Sequence, residues 1–477
     1  MSKYEATIGL ELHCELKSNS KVFSPSKNSY DVTPNNNVCA IDLAFPGTLP
    51  VVNKECVKKA LMMSMALNCK QPEYMCFDRK NYYYPDLPKG YQITQFYNPV
   101  GTNGEILINY DGKEVPIQIH EIHLEEDTAA LEHLYNTTTL DYNRAGVPLL
   151  ELVTEPCISS AKEAVAFVET IIGIYRYCSI SDVDTTKGHL RCDINVSIKE
   201  VGSKKLGTKV EVKGVNINAL SNIAKTIDYE IERQIALAEA GRYDEVVQET
   251  RRFDEATGTT IHMRSKADAI DYKYFPEPNI PPIKIDAQWL EDIRREIPVL
   301  QNERRKIYTS EYGLDEYDTN IIIKDKKHAD YFEKCIEIGI DAKTASNWFI
   351  VQILGYLNKN YLDITEFYLK PEDLKVIIDE INKGTISNKQ AKEIFTKACD
   401  EKISPTKLIS QEDSQISDRN KLEEIINTIL NNNQAQIEEY HNGKTNLFDF
   451  FVGQVMKETR GKANPVITKE ILNEKLN

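Results

Sequence analysis

The sequence predicts an α+β fold: an N-terminal domain on a mixed or antiparallel sheet, then a helical domain and a small helical tail. Three observations carry this expectation. Period-two alternation of apolar and polar residues recurs through the first 290 or so residues. Single amphipathic helices interrupt it without a β–α–β rhythm. After that, strand patterns give way to Lys-, Glu- and Ile-rich helical spacing. A chain of 477 residues is too long for one core, and the shifts in pattern put domains at 1–292, 293–402 and 403–477.

The first expected strand is 6–16. Ile8, Leu10, Leu12, Cys14 and Leu16 face one way; Glu11, His13 and Glu15 face the other. Strands are expected again at 105–110 and 115–124, the second running into Glu125-Glu126-Asp127. Ser160-Ala-Lys-Glu163 reads as a capping box opening a helix over 160–177. Its Ala161, Ala164, Val165, Val168, Ile171 and Ile172 recur at helical spacing. The strand at 190–198 sets Leu190, Cys192, Ile194, Val196 and Ile198 against Arg191, Asp193, Asn195 and Ser197. The strand at 208–213 sets Val210 and Val212 against Lys209, Glu211 and Lys213. A helix over about 220–240 stops at Gly241. Four prolines between Tyr274 and Pro282 force an extended linker or sheet edge. Ser404-Pro405 and the polar run to Asp418 read as a hinge.

A net charge of −15 argues against polyanion binding by the whole surface, leaving only local basic patches. Ten cysteines without a CxxC spacing read as reduced, mostly buried thiols. The N-terminus lacks a secretory pattern, and no run approaches the ~18 apolar residues of a membrane span. A cytoplasmic protein with no membrane partner is the expectation.

The polar faces of the strands at 6–16, 190–198 and 208–213 mix acids with bases. Two readings stand: a solvated antiparallel face, or an open sheet holding a divalent cation through carboxylate oxygens. Glu125-Glu126-Asp127 is a charged turn or a further source of ligands, since three adjacent acids repel unless cations neutralise them. Phe77–Gln92 packs two Lys, one Arg, four Tyr and a Gly into sixteen residues. Such residues neutralise phosphates and stack on bases, or they form a tyrosine-rich surface loop. There is no Walker-type GxxxxGK[ST] loop. Residues 444–477 hold six basic against four acidic side chains, and Lys457-Glu-Thr-Arg460-Gly-Lys462 is either an RNA-backbone contact or a solvated helix end.

Taken in order, long motifs resemble the GatB family, the B subunits of aspartyl/glutamyl-tRNA amidotransferases. They include IGLELH (8–13), DLAFPGTLPVVN (42–53), FDRKNYYYPDLPKGYQITQ (77–95), HLEEDTAAL (123–131) and DYNRAGVPLLELVTEP (141–156). They continue with GHLRCDINVSI (188–198), GTKVEVK (207–213), QETRRFD (248–254), MRSK (263–266), DYKYFPEPNIPP (271–282) and FFVGQVMKETRGKANP (450–465). The resemblance covers essentially the whole chain.

The resemblance implies a cytoplasmic heterotrimer with an amidase A subunit and a small C subunit. It implies ATP- and Mg2+-dependent phosphorylation of the side-chain carboxylate of Glu-tRNA(Gln) or Asp-tRNA(Asn), then amidation with ammonia from the A subunit. Carried over by motif, the metal residues are Glu11, His13, Glu125, Asp193 and Glu211, with Glu126 a nearby candidate. Lys80, Tyr83, Lys89 and Lys213 fall to phosphate or nucleotide contact, with Glu11, His13, Lys80 and Lys89 as the catalytic group. The tail resembles the YqeY family, with Lys457, Arg460 and Lys462 as RNA contacts. Glu15 is left out, because the family often has Gln there.

The sequence departs from the family at several points. Many members carry CxC and CxxC after the first strand, a zinc pattern. Here the positions read Ser24-Pro-Ser26 and Cys39-Ala-Ile-Asp42, so no structural zinc is expected. Gly214 stands where the family often has Asn, and Thr128-Ala-Ala130 follows HLEED without the usual Gly-Lys. The competing reading is a non-catalytic tRNA-binding scaffold of the same complex. A free-standing metal hydrolase fits less well, because of the RNA-like tail and the motifs.

Overall fold

Alternation in the sequence becomes an eight-stranded sheet. The computed structural model describes residues 3–29, 33–265, 271–409, 419–442, 444–459 and 461–476. The sheet uses β1 (Tyr4–Glu15), β4 (Gly101–Tyr110), β5 (Lys113–Glu126), β6 (Pro148–Thr154), β7 (Leu190–Glu200), β8 (Val210–Val215), β9 (Glu249–Asp254) and β10 (Thr259–Ser265). Their order across the sheet is β10-β9-β8-β7-β1-β6-β5-β4. Every neighbouring pair is antiparallel except β8 and β9. A smaller sheet sets β3 (Tyr91–Thr94) and the edge pair Phe275–Pro276 on either side of β2 (Asp78–Asn81). The proline-rich segment therefore serves as an edge, where its missing N–H groups cost nothing.

The apolar side of the large sheet is covered by α1 (Lys54–Ala66), α2 (Ala161–Tyr177) and α3 (Ser221–Glu239). Leu10, Leu12, Cys14, Ile194 and Leu152 on the strands share one core with Leu61, Phe167, Ile171 and Ile227 on the helices. The opposite side carries the polar residues and has no such cover of helices among the described residues. That asymmetry gathers the acids and bases on one face, beside the small sheet that carries Lys80 and Thr94.

Local chemistry fixes the connections. β4 and β5 join through Asp111-Gly112, whose φ values of 48° and 72° make the mirror-image turn that matches strand twist. The capping box at α2 forms only in part. Ser160 Oγ accepts from the Glu163 N–H at 3.2 Å. The Glu163 carboxylate instead accepts from the Ser159 N–H and Oγ and from the Tyr110 hydroxyl.

The positions that carry zinc-type cysteines in the related family do meet in space, but around a carboxylate. Asp42 accepts from Ser24 Oγ at 2.7 Å, from the Cys39 N–H at 2.9 Å, and from Ser26 Oγ. Lys21, with a fully buried side chain, sits 3.5 Å from the same carboxylate. One thiol among four positions does not fit a tetrahedral zinc site. A hydrogen-bonded ion pair closes the loop there instead.

Contacts divide the chain into two compact units, residues 1–304 and 305–477. The second is helical and contains two cores. One gathers Tyr308, Phe332, Phe349, Ile377 and Phe395; the other gathers Leu422, Ile426, Phe451, Val455 and Leu472. Most of the expected hinge, 410–418, lies outside the described residues. No helix among the described residues is long and apolar enough to cross a membrane. All ten cysteines are unpaired, and most are buried.

Candidate functional site

Residues opposite one another on neighbouring strands share a face, and the register of the large sheet uses that rule to assemble a cluster. On β1, Glu11 stands opposite Asp193 and His13 opposite Arg191 of β7. On its other side His13 stands opposite Glu151 of β6, and Glu151 opposite His123 of β5. Glu125, two residues on from His123, emerges on the same face. His13 Nε2 lies 3.6 Å from Glu11, 3.7 Å from Glu151 and 4.0 Å from Glu125. Ligand atoms of Glu11, His13 and Glu151 all fall within 4.8 Å of one another.

Burial sets the electrostatics. It pushes Glu11 above the usual carboxylate range. Burial, reinforced by the neighbouring Glu151, carries Glu125 up to about 8. Glu151 is raised too, by burial first and then by Glu11. Burial holds His13 well below its ordinary value, so the imidazole is neutral at pH 7. Glu11 and Glu151 beside a neutral imidazole, with Glu125 at its edge, fit a divalent cation; such a charge would relieve the repulsion among the carboxylates. Glu125 also accepts from Thr94 Oγ1 at 2.9 Å, which fixes its rotamer.

Lys80 and Lys213 border the cluster. Burial opposes the charge of Lys80, but Glu125, Tyr274 and Glu151 outweigh it and hold the ammonium protonated. Lys213 bonds Asp193 at 2.8 Å and Glu211 at 3.1 Å. Asp193 further accepts from the Gly214 N–H at 2.7 Å, across a register shift between Cys192 and Ile194. Glu211 accepts from Thr250 Oγ1 at 3.0 Å. Of the five expected metal residues, Glu11 and His13 fall in that close group, and Glu125 lies 4.0 Å from His13 Nε2. Asp193 and Glu211 form a second carboxylate pair bridged by Lys213.

The acid run splits three ways. Glu125 faces His13. Glu126 bonds Lys89 at 2.6 Å and accepts from the Ile93 N–H. Asp127 pairs with Arg191 at 2.7 Å and lies 3.7 Å from Arg144. Lys89 therefore lines a separate cavity with Asp42, Asp86, Glu126 and Gly146. Tyr83 is 92% exposed and is not drawn into the cluster. Lys457 is exposed on the helix Leu447–Glu458, Lys462 is half-buried, and Arg460 lies outside the described residues.

Glu151 is the residue that sequence reasoning missed. Pro148–Thr154 reads as a nearly continuous apolar run, so its alternation is faint. The available signal was a single carboxylate in the middle of that run.

The raised carboxyl of Glu125 gives a pH prediction. Its unfolded value is near 4.5 and its folded value about 8, so the folded chain holds an extra proton between them. Without divalent cation, stability falls as pH rises through that window. A cation needs the ionised form, so binding releases protons at pH 7 and tightens toward pH 8. Calorimetric titration with Mg2+ in buffers of different ionisation enthalpy checks this; a buffer-independent heat at pH 7 contradicts it.

Comparison with known proteins accounts for both units. Residues 6–291 match a family model described as the GatB/GatE catalytic domain, and residues 330–476 match one described as the GatB domain. A protein of Persephonella marina is 43% identical over 99% of this chain and 100% of its own length. Relatives from Oceanobacillus iheyensis and Crocosphaera subtropica are each 44% identical, covering 99% and 100% of this chain and 99% and 98% of their own. All three are named as the B subunit of an aspartyl/glutamyl-tRNA(Asn/Gln) amidotransferase.

Proposed function

The chain belongs to the GatB family, and from that premise we propose that it is the carboxylate-activating B subunit of a tRNA-dependent amidotransferase. Its substrate is a misacylated tRNA, Glu-tRNA(Gln) or Asp-tRNA(Asn), and its partners are an amidase A subunit and a small C subunit. The side-chain carboxylate is a poor acceptor for ammonia because hydroxide leaves badly. A carboxylate oxygen attacks the γ-phosphorus of ATP and ADP departs. Ammonia from the A subunit then attacks the acyl carbon, and phosphate leaves.

The observation that carries this reading is the convergence of Glu11, His13, Glu125 and Glu151 beside Lys80. Those four residues would hold Mg2+, which supplies positive charge to the transferring phosphoryl group. Glu11 and Glu151 flank the imidazole from either side along and across the strands. Neutral His13 orients within the carboxylates without adding a second repelling charge. Lys80, held protonated, stands at the edge where phosphate oxygens approach. Lys213 bridges Asp193 and Glu211 and so shapes the neighbouring wall. The test is γ-labelled ATP with the purified complex, Mg2+ and aminoacyl-tRNA: cleavage that depends on the tRNA supports the reading, and none contradicts it.

The tail, 403–477, completes the proposal as a tRNA grip. Replacing Lys457, Arg460 and Lys462 together with Ala is expected to weaken tRNA binding and to lower the salt dependence by up to about three phosphate contacts. Filter binding at several salt concentrations measures both. Unchanged affinity and slope would remove this patch from the interface.

A further inference from the structure

Phe96 and Tyr97 form an open aromatic corner beside the acidic cluster. Their rings meet edge to face at 5.0 Å and 87°. Phe96 stacks on Tyr274 at 4.1 Å and 14°. Tyr274 meets Tyr272 at 6.1 Å, and Lys80 Nζ lies 5.1 Å from the Tyr272 centroid. Tyr274 is also within electrostatic reach of Lys80, Glu151 and Glu125. The rings thus lead directly from the cluster to the corner.

The corner is built rigidly and yet left wet. Asp78 is buried on β2, and its Oδ2 accepts from the Phe96 N–H at 2.7 Å and the Tyr97 N–H at 3.0 Å. Phe96 nevertheless remains 49% exposed and Tyr97 56% exposed. A buried carboxylate thus fixes both rings in place while about half of each stays accessible to a ligand.

We infer that Phe96 and Tyr97 form the base subsite of the nucleotide site, with the adenine ring of ATP stacked on the exposed part of this aromatic corner. This rests on the nucleotide reading given above and extends it to the part of the site that recognises the base. Charge complementarity sets the direction: the triphosphate runs toward Lys80 and the cation cluster, and the neutral ring lies on the neutral aromatic surface. Base–aromatic stacking is a source of binding that needs no Walker-type loop, which this sequence lacks.

The test uses the full chain in complex with its partner subunits. Phe96→Ala is expected to raise the KM for ATP roughly ten- to hundredfold, with kcat at saturating ATP little changed. Phe96→Trp restores the affinity, and binding of Mg2+-inorganic triphosphate, which has no base, stays as in the wild type. If wild type binds Mg2+-ATP and Phe96→Ala binds it equally well, the base subsite is wrong and the nucleotide reading survives. If wild type binds inorganic triphosphate but gains nothing from the adenosine, the subsite also fails. If Phe96→Ala raises the KM for aminoacyl-tRNA and not for ATP, the corner holds the terminal adenosine of the tRNA and the assignment to ATP is overturned. If wild type neither binds nor cleaves ATP, the proposed function itself falls.

Discussion

Glu11→Ala is expected to lower tRNA-dependent ATP cleavage at least about a hundredfold, with tRNA binding intact. Glu11 lies on the central strand β1, held between β7 and β6, so its backbone position does not depend on its side chain. Removing the carboxylate takes away one of the oxygens nearest His13 Nε2. Glu151→Gln is expected to match it, and the double variant to lose little more, because the residues act as one unit. Thermal stability separates this from misfolding. Both carboxyls are raised by burial, and Glu11 raises Glu151 further, so deleting one leaves the metal-free fold as stable as before or more so. Glu211→Gln, whose carboxylate is already bonded to Thr250 and Lys213, should lose less activity than either. Single-turnover cleavage of γ-labelled ATP, paired with a melting curve, measures all four. Equal losses in Glu11→Ala and Glu211→Gln would move the ion toward the second carboxylate pair.

Asp42→Ala is expected to destabilise the N-terminal unit by about 3–5 kcal/mol. The change strands the buried ammonium of Lys21 without its carboxylate, while Ser24, Ser26 and the Cys39 N–H lose their common acceptor. The Tyr142 carbonyl, 3.2 Å from Lys21 Nζ, offers the ammonium only a neutral acceptor. Ser24→Ala should cost about 1 kcal/mol, since it removes one hydrogen bond and leaves the ion pair in place. Denaturant titration followed by circular dichroism reads the difference. A loss for Asp42→Ala no larger than that for Ser24→Ala would show that the ion pair is not what closes this loop.

Strands with one apolar face were legible wherever alternation lasted, as at Ile8–Leu16 and Leu190–Ile198, because one buried face imposes period two. Glu11, His13 and Glu125 followed from those faces and from the family's motifs. Glu151 did not, because its strand is nearly all apolar and its importance lies in standing opposite His13, a pairing that sequence spacing cannot express. Glu126 is a nearby metal candidate in the sequence because it adjoins Glu125, but the pleat sends the two to different partners. The meeting of Ser24, Ser26 and Cys39 on Asp42 was equally hidden, since no spacing rule exists for a hydrogen-bonded carboxylate as it does for zinc ligands. The aromatic corner shows the same limit. The tyrosine-rich stretch was visible, but Phe96 and Tyr274 are far apart in sequence and meet only through the pairing of Phe275 with Arg79.

In the proposed site Glu11, His13, Glu125 and Glu151 hold one divalent cation. Titration with Mn2+ as a paramagnetic substitute for Mg2+, followed by electron paramagnetic resonance of the free ion, tests it without relying on activity. One ion should bind per chain in the wild type and in Glu126→Gln, and binding should be lost in Glu11→Ala and in Glu151→Gln. Undiminished Mn2+ binding by Glu11→Ala and Glu151→Gln would contradict the account.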